Sequence, residues 1–220
     1  EWRGPSGWQA KGRIGNVDPA RLHSQLAPLP LSGPLQASGD RGALAFEVDL
    51  SAAAGADRST GLALRHLQTR GRWAGGEMDL RHLLVRSDDA RLQGQLRLVP
   101  ATRFGQGSLT LEAPGLRADA VGSLSQARGG GTLRLDTPQL AQALAWVRTL
   151  PGLAGRAIPE LSGQAHLALD WQGGWGDPHL RAQLQVPRLA APAADGATPW
   201  TLRRGALTVD GRLSAADLQS

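Results

Sequence analysis

Five histidines, two adjacent aspartates and a triple glycine are the residues of this chain whose types suit chemistry. The histidines are His23, His66, His82, His166 and His179. No two stand at helical metal-ligand spacing, and no His-Glu-x-x-His occurs. His166 and His179 flank one predicted hairpin, but both alternate with apolar residues and so should point to solvent. Asp88 and Asp89 are neighbours; on a strand they face opposite sides, which is poor geometry for a shared acid–base site. Gly129-Gly130-Gly131 lacks the following helix that would make it a phosphate cradle. The nucleophile elbow, the P-loop and the dinucleotide fingerprint are all missing, and there is no cysteine for a disulfide or a zinc thiolate. The expectation is a non-enzymatic protein without a cofactor or a metal site.

The pattern that recurs is apolar. Leu31-Ser32-Gly33-Pro34-Leu35, Leu92-Gln93-Gly94-Gln95-Leu96, Leu161-Ser162-Gly163-Gln164-Ala165 and Val209-Asp210-Gly211-Arg212-Leu213 share one shape: aliphatic, x, glycine, x, small or aliphatic. Spacing of two puts the marked residues on one face of a β-strand. Glycine in the middle of that face marks a bend, a bulge or a close backbone approach. Longer runs alternate in the same way. Leu92, Leu96 and Leu98 share a face, as do Leu109 with Leu111 and Leu133 with Leu135. Ala165, Leu167, Leu169 and Trp171 follow, then Leu180, Ala182, Leu184 and Val186, and last Leu207, Val209 and Leu213. Glycine-rich turns between them predict an antiparallel meander, a sandwich or a barrel-like sheet. The chain holds 36 Leu against 8 Val and 2 Ile, an unusual choice for strands. Here the period outranks the propensity, because the period reports which face is buried.

Two short helices are expected to interrupt the sheet. One has Asp18 as cap and Pro19 at its first position and runs to Leu26; the other has Thr137 as cap and runs from Pro138 to Leu150, with Leu140, Leu144 and Val147 as its stripe. Each follows a glycine-flanked strand and precedes a Leu-Ser-Gly, which predicts a repeated unit at about residues 8–50 and 124–189. Abrupt polar ends predict that the 220 residues are one fragment of a longer repetitive protein.

The net charge is +5, but arginines such as Arg97, Arg117, Arg134 and Arg181 are scattered about one per strand. Single-strand nucleic-acid binders need aromatics interleaved with basic residues. Trp171 and Trp175 instead lie around a hairpin loop, and Trp146 on a helix stripe. No nucleic-acid partner is expected. What remains is the leucine face, which a second sheet would hide in a sandwich and acyl chains would hide in a lipid-carrying groove. Periodicity does not separate the two.

Several stretches in order resemble the C-terminal half of the TamB family of translocation and assembly module subunits, whose AsmA-like relatives share the style. They include Trp73-Ala74-Gly75-Gly76, Asp89-Ala90-Arg91-Leu92-Gln93-Gly94, Leu135-Asp136-Thr137-Pro138-Gln139-Leu140 and Leu150-Pro151-Gly152-Leu153. Trp171-Gln172-Gly173-Gly174-Trp175-Gly176-Asp177-Pro178-His179-Leu180 and Trp200-Thr201-Leu202-Arg203 continue the series. The resemblance implies a periplasmic protein anchored in the inner membrane by an N-terminal segment absent from this chain. It implies an all-β fold, a long antiparallel sheet curled into a taco-like apolar trough. It implies phospholipid acyl chains as ligand and, through the full-length parent, a TamA-like outer-membrane barrel as partner. The expected function is a phospholipid conduit segment linked to outer-membrane protein assembly. The alternative is a scaffold or chaperone that pairs with outer-membrane β-strands at its sheet edge. The expected groove lining is Leu92, Leu96, Leu98, Leu109, Leu111, Leu133, Leu135, Leu167, Leu169, Leu180, Leu184, Val186, Leu207, Val209 and Leu213.

Overall fold

The computed structural model describes residues 7–21, 26–40, 42–53, 62–150, 153, 158–192 and 199–212. Twelve strands account for most of them: β1 Trp8–Val17, β2 Leu31–Asp40, β3 Ala43–Ala52, β4 Leu64–Ala74, β5 Glu77–Ser87 and β6 Arg91–Val99. Then come β7 Phe104–Ala113, β8 Leu116–Leu124, β9 Gly129–Thr137, β10 Ser162–Gln172, β11 His179–Ala191 and β12 Trp200–Arg212. The fold is all-β, and the strand order is the order of the chain. Neighbouring strands from β1 to β6, and again from β8 to β12, pair antiparallel. This is the meander, one of the three arrangements that the alternating strands and glycine-rich turns allowed. The residues form two compact units, Glu1–Gly107 and Ser108–Ser220.

One α-helix is present among the described residues, α1 at Leu140–Val147, packed against β10 and β8. It is shorter than the expected Pro138–Leu150, and Thr137 does not cap it. Thr137 ends β9, is buried, and donates its hydroxyl to the Ala165 carbonyl at 2.8 Å. The hydroxyl is thus spent across the sheet, and Gln139 takes the cap position without a side-chain bond. The other expected helix is only a 3₁₀ turn at Pro19–Arg21; residues 22–25 lie outside the described ones. Asp18 does cap it, its Oδ1 accepting the Ala20 N–H at 3.0 Å.

In the first unit the chain between β1 and β2 supplies the small core. Ala27 and Leu29 are buried with Ala63, and the Ala27 N–H donates to the Leu62 carbonyl at 3.1 Å. In the second unit the buried residues Ala143 and Trp146 lie on α1. Elsewhere most side chains are half-buried or exposed, so these units are held together by strand pairing more than by a sealed interior.

Two Leu-Ser-Gly glycines make the close approach that their sequence suggests. A Cβ on Gly33 would overlap the Asp49 carbonyl, and one on Gly163 would overlap the Arg188 carbonyl. Gly163 also has φ 131°, which L side chains avoid. Gly211, on the last strand, faces open space. Gly163→Ala should therefore lower stability by about 2 kcal/mol. Gly12→Ala, where the new methyl meets nothing within 4 Å, should leave the urea midpoint unchanged or slightly raised. Equal midpoints for both variants would refute the close-approach reading.

Candidate functional site

Register turns the alternating strands into ladders that run across the sheet. In the second unit Ala118, Leu135, Leu167, Leu184 and Leu207 are successive partners on β8 to β12. Ala120, Leu133, Leu169, Ala182 and Val209 form the next row, and Gly122, Gly131, Trp171, Leu180 and Gly211 the third. Strands lie about 4.8 Å apart, so each five-strand row is about 19 Å long.

The first unit repeats the arrangement. Leu50, Leu67, Val85 and Leu92 are partners on β3 to β6. Phe46, Gly71, Leu80 and Leu96 form a second row, and Leu44, Trp73, Met78 and Leu98 a third. The sequence Leu80-Arg81-His82-Leu83 breaks the alternation. A bulge absorbs the extra residue, so Leu80 pairs with Leu96 and Leu83 with Gly94.

Large side chains fill the space that glycine leaves on these faces. The Trp8 ring lies over Gly39, Phe46 over Gly71, Leu96 over Gly107, and Trp171 over both Gly131 and Gly122. The Trp171 indole donates to the Ser123 carbonyl at 3.2 Å, which pins the ring flat along the sheet. This pairing of flat ring and glycine smooths the apolar surface.

No second sheet covers the ladder of either unit among the described residues of that unit. Leu167, Leu169, Leu180 and Leu184 are half-buried, as are Leu92, Leu96, Leu98, Leu133 and Leu135. Leu207 keeps 58% and Val209 50% of its surface. Val186 differs: it is buried, beside Gly205. Leu109 and Leu111 lie half-buried on β7, and Leu213 lies outside the described residues. A sandwich would have sealed these side chains. An open apolar face of this extent normally marks a binding surface.

The opposite face is charged and carries a series of ion pairs. Arg181 Nη2 sits 2.9 Å from Asp210 Oδ2, while His179 Nε2 meets Asp210 Oδ1 at 2.6 Å. His166 Nδ1 meets Asp136 at 2.6 Å and His66 Nε2 meets Asp49 at 2.7 Å. Arg97 with Glu77 and Arg70 with Glu47, both at 2.6 Å, and Arg117 with Glu112 at 2.9 Å continue the pattern. His66, His166 and His179 thus point away from the ladder, as the alternation around the last two predicts. His166 and His179 do not face each other, since His166 pairs with Gln185 and His179 with Gln172. Their aspartate partners on the next strand were missed by sequence reasoning, because spacing within one strand does not reveal register. No group of three or more metal-ligating side chains occurs among the described residues.

Two carboxyls on this face are held below the usual aspartate range. For Asp210 the main cause is the hydrogen bond from His179, then that from Arg181. For Asp119 it is the hydrogen bond from Thr110, 2.7 Å away, then that from Arg117. Both tie neighbouring strands together.

No family model, curated protein or solved structure matches the chain.

Acid should loosen these ties. A lowered folded pKa means that the unfolded chain takes up protons first as the pH falls. The contribution of Asp210 and Asp119 is therefore complete above the ordinary value near 4 and fades as pH drops through the lower folded values. The urea midpoint should fall between about pH 5 and pH 3, and Asp119→Asn with Asp210→Asn should flatten that slope. An unchanged slope in the double variant would contradict the assignment.

Proposed function

We propose that this chain is a segment of a non-enzymatic phospholipid conduit, with the apolar ladders as the path for acyl chains. The observation that carries the reading is the row from Ala118 to Leu207. It runs unbroken across five strands, stays open to solvent, and is backed by a charged face with ion pairs such as Arg181 with Asp210. Its length of about 19 Å is more than half the roughly 30 Å hydrocarbon core of a bilayer. Each methylene that leaves water for such a surface gains about 0.8 kcal/mol, and the exposed leucines gain in return. The resemblance to the TamB family supports the same reading. On it, a longer periplasmic parent, anchored in the inner membrane, would curl such sheets into a trough towards a TamA-like outer-membrane barrel.

One observation favours a second reading. Among the described residues β12 pairs only with β11, so the far edge of a 13-residue strand offers free backbone donors and acceptors. Such an edge can add a strand from another protein. A scaffold for outer-membrane β-strands would use that edge and leave the leucine face idle.

Photo-crosslinking in cells that carry the full-length parent separates the two. Probes at Leu167 and Leu184 should capture phospholipid, and a probe at Gln183, on the polar side of the same strand, should not. Leu184→Met should pass lipid normally. Leu184→Arg, which puts an unpaired charge on the apolar row, should stop transport and weaken the outer membrane. Equal labelling from 183 and 184, or an intact outer membrane with well-folded Leu184→Arg, would overturn the conduit.

A further inference from the structure

Arg188 and Arg203 are a like-charged pair on the charged face, as Arg86 and Arg91 are in the first unit. They are register partners on β11 and β12, both are exposed, and the β10 neighbour of Arg188 is Gln164. Seven residues back on β11, Arg181 faces Asp210. Like charges placed directly across strands repel, and no carboxylate of the described residues pairs with either. Arg204 follows at φ 60°, a left-handed position that arginine seldom takes, opposite Pro187. Three cationic side chains are thus gathered at one end of the second unit.

Beside them lies a groove. Two residues further along the same strands, Ser162, Ala190 and Thr201 are partners, about 7 Å away by strand rise. Ser162 and Ala190 line a cavity of about 390 Å³ closed by Leu144, Leu161, Ala191 and Pro192. Arg148 and Glu160 stand at its wall, and Arg148 Nη2 donates to the Ile158 and Pro159 carbonyls at 2.8 and 3.3 Å. On the opposite face of the sheet, Leu189 and Leu202 pair and continue towards the Leu184 row.

We propose that this end of the sheet is a headgroup site. The phosphate of an anionic phospholipid sits between Arg188 and Arg203, and the first part of an acyl chain enters the groove. Guanidinium suits a phosphodiester because its fixed fork of donors matches two phosphate oxygens. The anion would also relieve the cross-strand repulsion. The apolar groove a few ångströms away selects a lipid over a free anion. The inference rests on the conduit reading above and adds to it a point where headgroup charge is read.

The test uses the full chain with vesicles of dioleoylphosphatidylglycerol or dioleoylphosphatidylcholine, and a photoreactive probe at Leu184. Arg188→Gln with Arg203→Gln should lose preference for phosphatidylglycerol by about 30-fold, at the usual worth of two arginines near an anionic lipid surface. Labelling by phosphatidylcholine at 184 should persist. Arg97→Gln with Arg117→Gln removes the same charge from paired sites and should keep most of the preference. Equal loss in both double variants would overturn the site in favour of general attraction. Unchanged preference in the first variant would overturn it too, while labelling at 184 left the conduit standing. Displacement of phosphatidylglycerol by inorganic phosphate alone would reassign the arginines to a free anion and overturn the lipid site. No labelling at 184 with any vesicle would overturn the conduit and this site together.

Discussion

Register is the constraint on which the rest depends. Every strand alternates with period two, so a slip of one residue against its neighbour would move leucines onto the charged face and arginines onto the apolar one. The chain fixes register by short antiparallel connections and by cross-strand partners on both sides. On the charged side these are pairs such as Arg181 with Asp210 and His166 with Asp136. On the other side they are close fits, Trp8 on Gly39 and Trp171 on Gly131. Where the sequence departs from alternation, a bulge restores it. Arg81-His82 sits opposite Gln95, and Val186-Pro187 opposite Ala165. Pro187 has no N–H to give, and a bulge is one of the few places within a sheet that tolerates this.

With register fixed, an open ladder follows without any further device. Each strand needs only its two neighbours, so the sheet grows by addition, and stability is distributed along it as in repeat proteins. Besides single strand residues such as Leu50, Leu84 and Val186, burial gathers where a connection folds back: Ala27 and Leu29 in the first unit, Ala143 and Trp146 in the second. The remaining leucines are left half in water, at a cost that a soluble globule would have avoided by closing a second layer. On the proposed reading, a ligand that supplies the missing apolar layer offsets that cost. Leucine suits such a ligand, since its flexible branch at Cγ accepts a chain of no fixed shape better than a stiff β-branched residue does.

The strands, and which of their residues share a face, were legible in the sequence. Leu133 and Leu135, or Leu180 and Leu184, announce their face by spacing alone, even though leucine is not a favoured strand residue. What could not be read was anything that needs two strands at once. The His179–Asp210 contact joins residues 31 apart, and the Arg188–Arg203 juxtaposition depends on a hairpin whose register only the structure supplies. Local signals at the helices misled for a different reason. Thr137 has the chemistry of a cap, but it is buried at the end of β9, where a bond across the sheet takes precedence. Leu84 and Val121 show the same limit: apolar residues that register sets among polar neighbours, the first buried between Gln68 and Gln93, the second exposed.

The measurement that bears most directly on the central claim is native mass spectrometry of the protein after gentle extraction from the cells that make it. If the ladders are an acyl-chain path, the chain should carry adducts that dissociate on mild activation as intact phospholipids, and these should vanish from Leu167→Arg with Leu184→Arg. Protein that is folded and free of lipid, or that carries peptide in place of lipid, would contradict the account.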